Sequence, residues 1–258
     1  MKAMIFAAGL GTRLKPITDT MPKALVPVCG RPLLYHVITK LVAAGCDDII
    51  VNVHHFPDQI IDYLCVNDFG AHITISDERE LLRETGGGIK HVRPLLRNDE
   101  IPGQAGNDGS ELFLVHNVDI VSNLDLKWLR EQHRPEALAT VVVSERKTQR
   151  YLLFDDDGRL KGWTNVATGE VRSPFGDIDP TKLRRLAFAG IHLISPAIFD
   201  ASDRYGFGDR FSIMDFYLKA CADYPVYAAV PPDFRMVDVG KKETLSEAER
   251  VCETILRQ

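Results

Sequence analysis

The sequence contains no long hydrophobic segment and no excess of positive charge. None of its apolar runs approaches the roughly 18 residues that a membrane-spanning helix needs. Its 31 lysines and arginines are outnumbered by 36 aspartates and glutamates, which gives a net charge of -5. An acidic protein without a long Lys/Arg run has no general attraction for a phosphate backbone. We therefore expect neither a membrane nor a nucleic acid as a partner, and a polyanionic small molecule would have to be held by a few placed cations.

Paired cysteines are also missing. The five cysteines are far apart in the sequence and none belongs to a C-x-x-C pair; they are Cys29, Cys46, Cys65, Cys221 and Cys252. This spacing argues against a zinc site or a disulfide framework and is typical of reduced thiols in a reducing compartment. The apolar run at the N-terminus leads into Gly-rich, charged sequence without a cleavage-type segment, so it indicates a buried strand and not a signal peptide. We expect a cytoplasmic protein.

Short apolar runs that alternate with helical patterns define the expected fold. Residues 32–44 place five apolar side chains on one helical face, and a second helix begins at Pro57. This alternation predicts an α/β protein with a Rossmann-like, mostly parallel sheet flanked by helices. The predicted strands lie at residues 3–8, 49–53, 73–76, 112–116, 140–143, 151–154 and 188–194.

The regular alternation ends at about residue 140. Consecutive strand-like runs and turns there predict a small β-rich elaboration, followed by a helix at about 209–222 and a last helix near 241–257. Residues 97–110 are rich in Gly, Asn, Asp and Pro and predict an exposed loop.

A Gly-rich segment follows the first strand, at the place where a doubly wound fold binds its ligand. Residues 7–23 read AAGLGTRLKPITDTMPK. Gly9 and Gly11 would let the backbone approach phosphate oxygens closely. Arg13 adds a fixed cation and Lys23 a mobile one, which favours phosphate binding over a purely structural turn.

Three other kinds of site are excluded. A dinucleotide fingerprint needs a third glycine where the chain has Leu14, and an acid at the end of the second strand, where it has Asn52 and His54. A P-loop needs Gly-Lys-Ser/Thr, which does not occur in the sequence. The eight histidines form no H-E-x-x-H or H-x-x-H pattern, so a histidine metal site is not expected.

The segment over residues 7–34, AAGLGTRLKPITDTMPKALVPVCGRPLL, resembles the signature of the sugar-phosphate nucleotidyltransferases. That signature is A-A-G-x-G-T-R-x-x-P-x-T followed by x-P-K-x-L-x-P-V-x-G-R-P, and fainter resemblance continues to the last helix. It implies a Mg²⁺-dependent enzyme that joins a nucleoside triphosphate to a sugar 1-phosphate and releases pyrophosphate. It also implies one domain over residues 1–258, with a nucleotide-binding part at about 1–135, a β-rich sugar-phosphate-binding part at about 136–240, and a C-terminal helix at 241–258.

The resemblance assigns nucleotide-binding residues in two Gly-rich runs. The first run contributes Ala8, Gly9, Gly11, Thr12, Arg13 and Lys23. The second, ETGGG at residues 84–88, contributes Thr85, Gly86 and Gly87. Three successive glycines near a helix start are unfavourable for the helix, which indicates that something packs flat against their backbone.

The resemblance also assigns two carboxylates. Asp119 ends the run LFLVHNVDI and Asp238 lies in FRMVDVG, and both are implied to bind Mg²⁺. Asp119 matches the aspartate of the family's N-G-D step, with Asn117 retained and Val118 in place of the glycine. The implied catalytic set is Arg13, Lys23, Asp119 and Asp238, and the implied sugar-side residues are Asn117, Asn165 and Gly190.

Within the family, three segments indicate the substrates. ETGGG, a Gly-Trp followed by Asn165, and AGIHLISP at 189–196 are most similar to the single-domain uridylyltransferases that act on N-acetylmuramic acid 1-phosphate in cell-wall sugar recycling. Lys161 and Arg235 are then candidates to pair with the lactoyl carboxylate. The alternatives are a mannose-1-phosphate guanylyltransferase and a catalytically silent regulatory subunit, and both monomer and homo-oligomer stay open.

Overall fold

Two compact units make up the chain in the computed structural model, which describes residues 1–96 and 111–256, with residue 242 and residues 251–256 described by their backbone only. The first unit contains Met1–Leu82, Leu114–Lys127 and Asp233–Gln258. The second contains Arg83–Phe113 and Trp128–Pro232. The single-domain organisation expected from the sequence stays a prediction, and the loop expected at 97–110 lies outside the described residues.

The first unit is built on parallel strands. Its sheet has the order β6-β1-β4-β5, and each strand runs parallel to its neighbours. Two short antiparallel pairs, β2 with β3 and β7 with β14, accompany it. The strands are β1 (Lys2–Phe6), β2 (Pro27–Val28), β3 (Arg31–Pro32), β4 (Asp48–Val53), β5 (His72–Asp77), β6 (Phe113–Asn117), β7 (Ile120–Ser122) and β14 (Met236–Asp238).

The apolar runs of these strands are explained by burial on both faces. Ala3, Met4 and Ile5 of β1 are each 0% exposed, as expected for a strand with covered faces. Helix α1 (Leu33–Ala43) buries the five apolar side chains that its spacing predicts, and α2 (Pro57–Val66) begins at the proline that suits a first turn. The last helix of this unit is α8 (Lys242–Leu256).

The second unit is mainly antiparallel. Its strands follow the order β11-β10-β9-β12-β8-β13, in which only the β8–β13 pair is parallel. They are β8 (Ala139–Ser144), β9 (Arg150–Phe154), β10 (Leu160–Asn165), β11 (Glu170–Arg172), β12 (Arg184–Ile194) and β13 (Val226–Ala229). The helices are α3 (Glu84–His91), α4 (Arg93–Leu96), α6 (Ala197–Arg204) and α7 (Ile213–Ala220), while α5 (Leu126–Glu131) crosses the sequence boundary between the units.

The α/β fold class expected from the sequence is confirmed, including the β-rich part after residue 140. The helix predicted at 209–222 is shorter, because Ser212 caps it by accepting a hydrogen bond from the Met214 amide. One cysteine expectation is wrong: Cys29 is disulfide-bonded, whereas Cys46, Cys65 and Cys221 form no disulfide. Over the described parts of the chain, no helix is long and apolar enough to cross a membrane.

Candidate active site

The backbone at the end of β1 is held by a buried polar pair. Asn52 Oδ1 accepts hydrogen bonds from the amides of Ala7 and Ala8, at 2.8 and 3.2 Å. Its Nδ2 donates to Glu78 Oε1 at 3.0 Å, and Asn52 and Glu78 are each 2% exposed. The amide of Ala8 is therefore engaged inside the protein, and these two residues fix the point where the Gly-rich loop begins.

The role of Asn52 in holding the loop backbone was not predicted from the sequence, where this residue served only to exclude a dinucleotide site. The sequence signal that could have indicated this role is a polar residue near the end of each of two neighbouring apolar strands. Asn52 pairs with Ser76 in the β4–β5 register, which brings Glu78, two residues further on, to the same end of the sheet.

Gly11 is required by the fold of the loop itself. Its φ of +63° is in the left-handed region, and a Cβ there would lie 2.8 Å from Thr18 Cγ2. Its carbonyl accepts hydrogen bonds from the Leu14 amide and from Thr18 Oγ1, both at 2.8 Å. Together these contacts form the short 3₁₀ turn Thr12–Leu14, which presents the exposed side chain of Arg13.

Gly9 differs from Gly11 because no contact among the described residues requires a glycine there. A Cβ at Gly9 would meet no atom of those residues within 4 Å, and Gly9 is exposed. The missing side chain therefore leaves open space above the loop backbone. Such space suits a ligand that lies directly on the backbone, as phosphate groups do on Gly-rich loops.

Lys23 and Asp119 form a partly buried ion pair in the first unit. The ammonium of Lys23 contacts the Asp119 carboxylate, and the two side chains are 11% and 17% exposed. Lys23 opens the 3₁₀ turn Lys23–Leu25, and Asp119 lies in the turn between β6 and β7. The carboxylate predicted to bind a metal ion and the ammonium predicted to bind phosphate are thus adjacent.

The second carboxylate is brought beside the first by strand pairing. In the antiparallel β7–β14 pair, Asp238 lies opposite Ile120, the residue after Asp119. The Val239 amide donates to the Asp119 carbonyl at 2.8 Å. Two aspartates that are distant in sequence therefore occupy the same end of this small sheet.

Gly240 brings Arg13 to the same place. A Cβ at Gly240 would lie 2.7 Å from Asp238 Oδ1 and 2.8 Å from Arg13 Nη2. The glycine therefore leaves room for a carboxylate and a guanidinium against its backbone. Gly240 was not among the site residues predicted from the sequence.

Val118 is accommodated without backbone strain where the family has glycine. Its φ is not in the left-handed region, since the positive-φ residues other than glycine in the described part of the chain are Cys29, Phe56, Glu84 and Asp233. Its amide donates to the Phe6 carbonyl at 3.2 Å and it is 4% exposed. The β6–β7 turn therefore does not depend on the freedom of a glycine.

The glycines of the ETGGG run in the second unit are explained by contacts with another segment of the same chain. The amides of Gly86 and Gly87 both donate to the Phe211 carbonyl, at 2.9 and 3.2 Å. A Cβ at Gly86 would lie 2.2 Å from the Phe211 ring, and one at Gly87 would lie 2.2 Å from the Asp209 carbonyl. The group that packs flat against this backbone is the chain's own segment 209–211. The nucleotide-binding assignment of these glycines and of Thr85, whose hydroxyl accepts from the Ile213 amide, stays a prediction.

The sugar-side residues also have local roles. Asn165 Oδ1 accepts from the Ala167 amide at 3.0 Å in the β10–β11 turn. Gly190 has a φ of +73° and lies where the pairing of β12 with β8 is irregular. Asn117 ends β6 opposite Phe6 of β1. Lys161 is paired with Asp155 at 3.2 Å. Sugar binding by Asn165, Gly190 and Asn117 stays a prediction.

A parallel sheet with a Gly-rich loop at its end, two cations and two carboxylates defines a phosphate-handling α/β enzyme. Residues 2–160 match the family model described as Nucleotidyl transferase. N-acetylmuramate alpha-1-phosphate uridylyltransferase of Caulobacter vibrioides is 34% identical over 252 residues, which cover 96% of this chain and 95% of that protein. The chain belongs to the sugar-phosphate nucleotidyltransferase family and is a sugar-1-phosphate nucleotidyltransferase.

Two further proteins show how widely this likeness extends. Mannose-1-phosphate guanyltransferase of Eremothecium gossypii is 29% identical over 204 residues, which cover 78% of this chain and 51% of that protein. The solved structure of HddC from Yersinia pseudotuberculosis, complexed with GMP-PN, has a TM-score of 0.71 and 23% identity, and covers 96% of this chain and 98% of its own. At that identity the structural match shows the shared fold.

Replacing Gly9 and Gly11 with alanine should separate ligand binding from folding. Gly11→Ala should lower the free energy of unfolding by about 1–3 kcal/mol, because its φ is positive and its Cβ would collide with Thr18. Gly9→Ala should leave the melting temperature within about 2 °C of the parent but raise the KM for the triphosphate about tenfold or more, because the Cβ would fill the space above the loop. Calorimetric melting and steady-state kinetics measure both. An unchanged KM in Gly9→Ala would contradict a ligand at this backbone.

Proposed function

We propose that this protein transfers the uridylyl group of UTP to N-acetylmuramic acid 1-phosphate and releases pyrophosphate. The support for these substrates is the similarity to the Caulobacter vibrioides uridylyltransferase over almost the full length of both chains. The observation that supports the reaction is the grouping, in one unit, of the Lys23–Asp119 ion pair with Arg13 and Asp238, which both lie against Gly240.

The reaction needs charge stabilisation more than proton transfer. An oxygen of the sugar phosphate attacks the α-phosphorus, a new P–O bond forms, and the bond to the bridging oxygen of the pyrophosphate breaks. The second pKa of a phosphate monoester is about 6, so the nucleophile is already mostly a dianion at neutral pH. The obstacles are repulsion between two anions and negative charge that grows on the departing pyrophosphate. Fixed cations and amides oppose both.

The positions of the two cations support different roles for them. Arg13 is exposed at the tip of the Thr12–Leu14 turn, where it would bind the β- and γ-phosphates over the open backbone at Gly9. Lys23 lies against Asp119, where its ammonium would reach the α-phosphate. The guanidinium fork suits the departing pyrophosphate, and the compact ammonium suits the single reacting phosphoryl group.

The donor set around Asp119 fits a magnesium ion. Mg²⁺ is usually held by one or two protein carboxylates, with water and substrate phosphates as its other ligands. Asp119 and Asp238 supply two carboxylates at one end of the β7–β14 pair, and the contact with Lys23 indicates that Asp119 attracts a cation. In the described residues no group of three or more His, Cys, Asp or Glu side chains is placed to hold a metal ion. A bound Mg²⁺ would neutralise charge on the phosphates.

Asp119→Asn and Asp238→Asn should each lower kcat by about a hundredfold or more while the protein stays folded, because each removes one charged metal ligand. Each should also raise the Mg²⁺ concentration needed for half-maximal rate. Pyrophosphate release over a Mg²⁺ titration measures both effects. Asp62→Asn, an exposed aspartate of α2, is the matched control. Wild-type turnover in Asp119→Asn would remove that residue from the site.

Lys23→Ala should lower kcat more than it raises the KM for UTP, because its contact strengthens as charge develops at the α-phosphate. We expect a loss in kcat of about a hundredfold. Lys15→Ala, in the same loop but paired with Asp19 on the surface, is the control and should keep parental kinetics. A change confined to KM would mean that Lys23 only binds the ground state.

UTP with N-acetylmuramic acid 1-phosphate should give the highest kcat/KM in a panel of triphosphates and sugar phosphates. Removing the lactoyl group, which gives N-acetylglucosamine 1-phosphate, should cost at least tenfold, or about 1.4 kcal/mol, because a cation must compensate the carboxylate. Arg235→Ala, which removes an exposed cation of the first unit, should reduce this discrimination. A preference for GTP with mannose 1-phosphate would indicate a guanylyltransferase, and inactivity with every pair would indicate a silent regulatory subunit.

A further inference from the structure

His116 is a buried polar residue that follows three apolar residues of β6. It is the fourth residue of β6 and is 0% exposed, opposite Ile5 of β1. Burial of an imidazole costs free energy unless the ring makes hydrogen bonds that replace those to water. None of the roles given above to the site residues uses this side chain, although it lies three residues before Asp119.

The ring makes one recorded hydrogen bond, and that bond determines its tautomer. His116 Nδ1 lies 2.8 Å from the carbonyl oxygen of Asn117. A carbonyl can only accept, so the proton must be on Nδ1 and the ring donates it. Nε2 is buried and has no hydrogen-bond partner among the residues that the structure describes. The bond to the Asn117 carbonyl is therefore the contact that explains a histidine at this position.

This bond completes a set that fixes the backbone around Asp119. The Asn117 carbonyl belongs to the same peptide group as the Val118 amide, which donates to Phe6 at 3.2 Å. That peptide is thus held on one side by β1 and on the other by the imidazole. Two residues after Asn117, the carbonyl of Asp119 accepts a hydrogen bond from the Val239 amide at 2.8 Å.

The ring stays neutral under physiological conditions, which keeps this arrangement constant. The pKa of His116 is lowered to about 4, mainly by burial and also by the nearby ammonium of Lys40, against the opposing effects of the Asn117 bond and of Asp119. The position of the Lys40 ammonium is fixed by a hydrogen bond that it donates to the Ser122 carbonyl of β7, at 2.8 Å. A neutral Nδ1–H donor is therefore available throughout the pH range in which the enzyme would work.

We propose that His116 is a positioning residue for Asp119: its Nδ1–H holds the peptide before the β6–β7 turn, so that the Asp119 carboxylate is fixed before metal and substrate arrive. This inference rests on the proposed function, in which Asp119 binds Mg²⁺. It assigns to the imidazole the part that outer partners of metal ligands generally have, which is to orient a ligand that they do not replace.

Three substitutions of His116 test this role. His116→Asn keeps an amide donor close to the position of Nδ1, His116→Gln moves the donor towards the position of Nε2, and His116→Leu removes it. Hydrogen–deuterium exchange of the β6–β7 turn in the metal-free protein reports on the peptide itself. Binding of Mn²⁺ with UTP, followed by electron paramagnetic resonance, reports on the metal site without turnover.

We expect His116→Leu and His116→Gln to raise amide exchange at Val118 and to weaken Mn²⁺ binding about tenfold, with kcat falling by a similar factor and the KM for the sugar phosphate unchanged. His116→Asn should restore exchange, Mn²⁺ binding and kcat to within about threefold of the parent. If His116→Leu does not fold, the comparison of His116→Asn with His116→Gln still tests the proposal.

Two results would overturn the proposal. Parental exchange and Mn²⁺ binding in His116→Gln, together with an inactive Asp119→Asn, would show that Asp119 binds metal but that His116 does not position it. Full activity of Asp119→Asn would instead mean that the proposed site is wrong, and exchange in the metal-free protein would still report whether His116 holds the peptide.

Discussion

The hydrogen bond from the Val239 amide to the Asp119 carbonyl joins the turn after β6 to the segment after β14, and the candidate site depends on that junction. Through it, the β7–β14 register sets Asp238 beside Asp119. Gly240 then follows with space for the guanidinium of Arg13, which belongs to the Gly-rich loop at the end of β1. The short antiparallel β7–β14 pair therefore brings together Asp119, Asp238 and Arg13, which are far apart in the sequence. The Gly-rich loop and the β6–β7 turn both begin at the carboxyl ends of strands in the parallel sheet.

The glycines of this chain show that one residue type serves different physical needs. Gly11 is required by its positive φ and by the close approach of Thr18, and Gly240 is required by the close approach of neighbouring side chains. Gly86 and Gly87 are required because the chain's own segment 209–211 packs directly against their backbone. A Cβ at Gly9 would meet none of the described residues, which leaves the backbone of the loop open to a ligand.

Sequence patterns predicted the larger elements because those patterns are local. Helix α1 followed from apolar residues that recur every three or four positions, and β1 and β4 followed from continuous apolar runs. The strands β2, β3 and β14 have two or three residues each, which is too short for a period to be recognised. Their existence depends on pairing partners that the sequence does not identify.

The candidate site was predictable to the extent that its residues lie in contiguous motifs. Arg13 and Lys23 were found because they share one loop, and Asp119 and Asp238 were found by resemblance. Asn52 and Glu78 were missed because their contact crosses two parallel strands. The close packing at ETGGG was anticipated, but its partner was not, since Phe211 is far away in the sequence. A sequence pattern can indicate that a residue makes a close contact, but only the folded structure identifies the residue that it contacts.

The ion pair between Lys23 and Asp119 gives the proposed site a reason to require metal and triphosphate together. Both side chains are largely buried, so removing either charge from its partner leaves the other uncompensated in a poorly solvated place. A bare triphosphate that drew Lys23 towards its α-phosphate would strip Asp119 of its cation. In the proposed complex Asp119 would hold a magnesium ion that compensates its charge, which would leave Lys23 able to pair with the α-phosphate. An acidic protein would then bind a polyanion with two cations, because the remaining positive charge would come with the substrate.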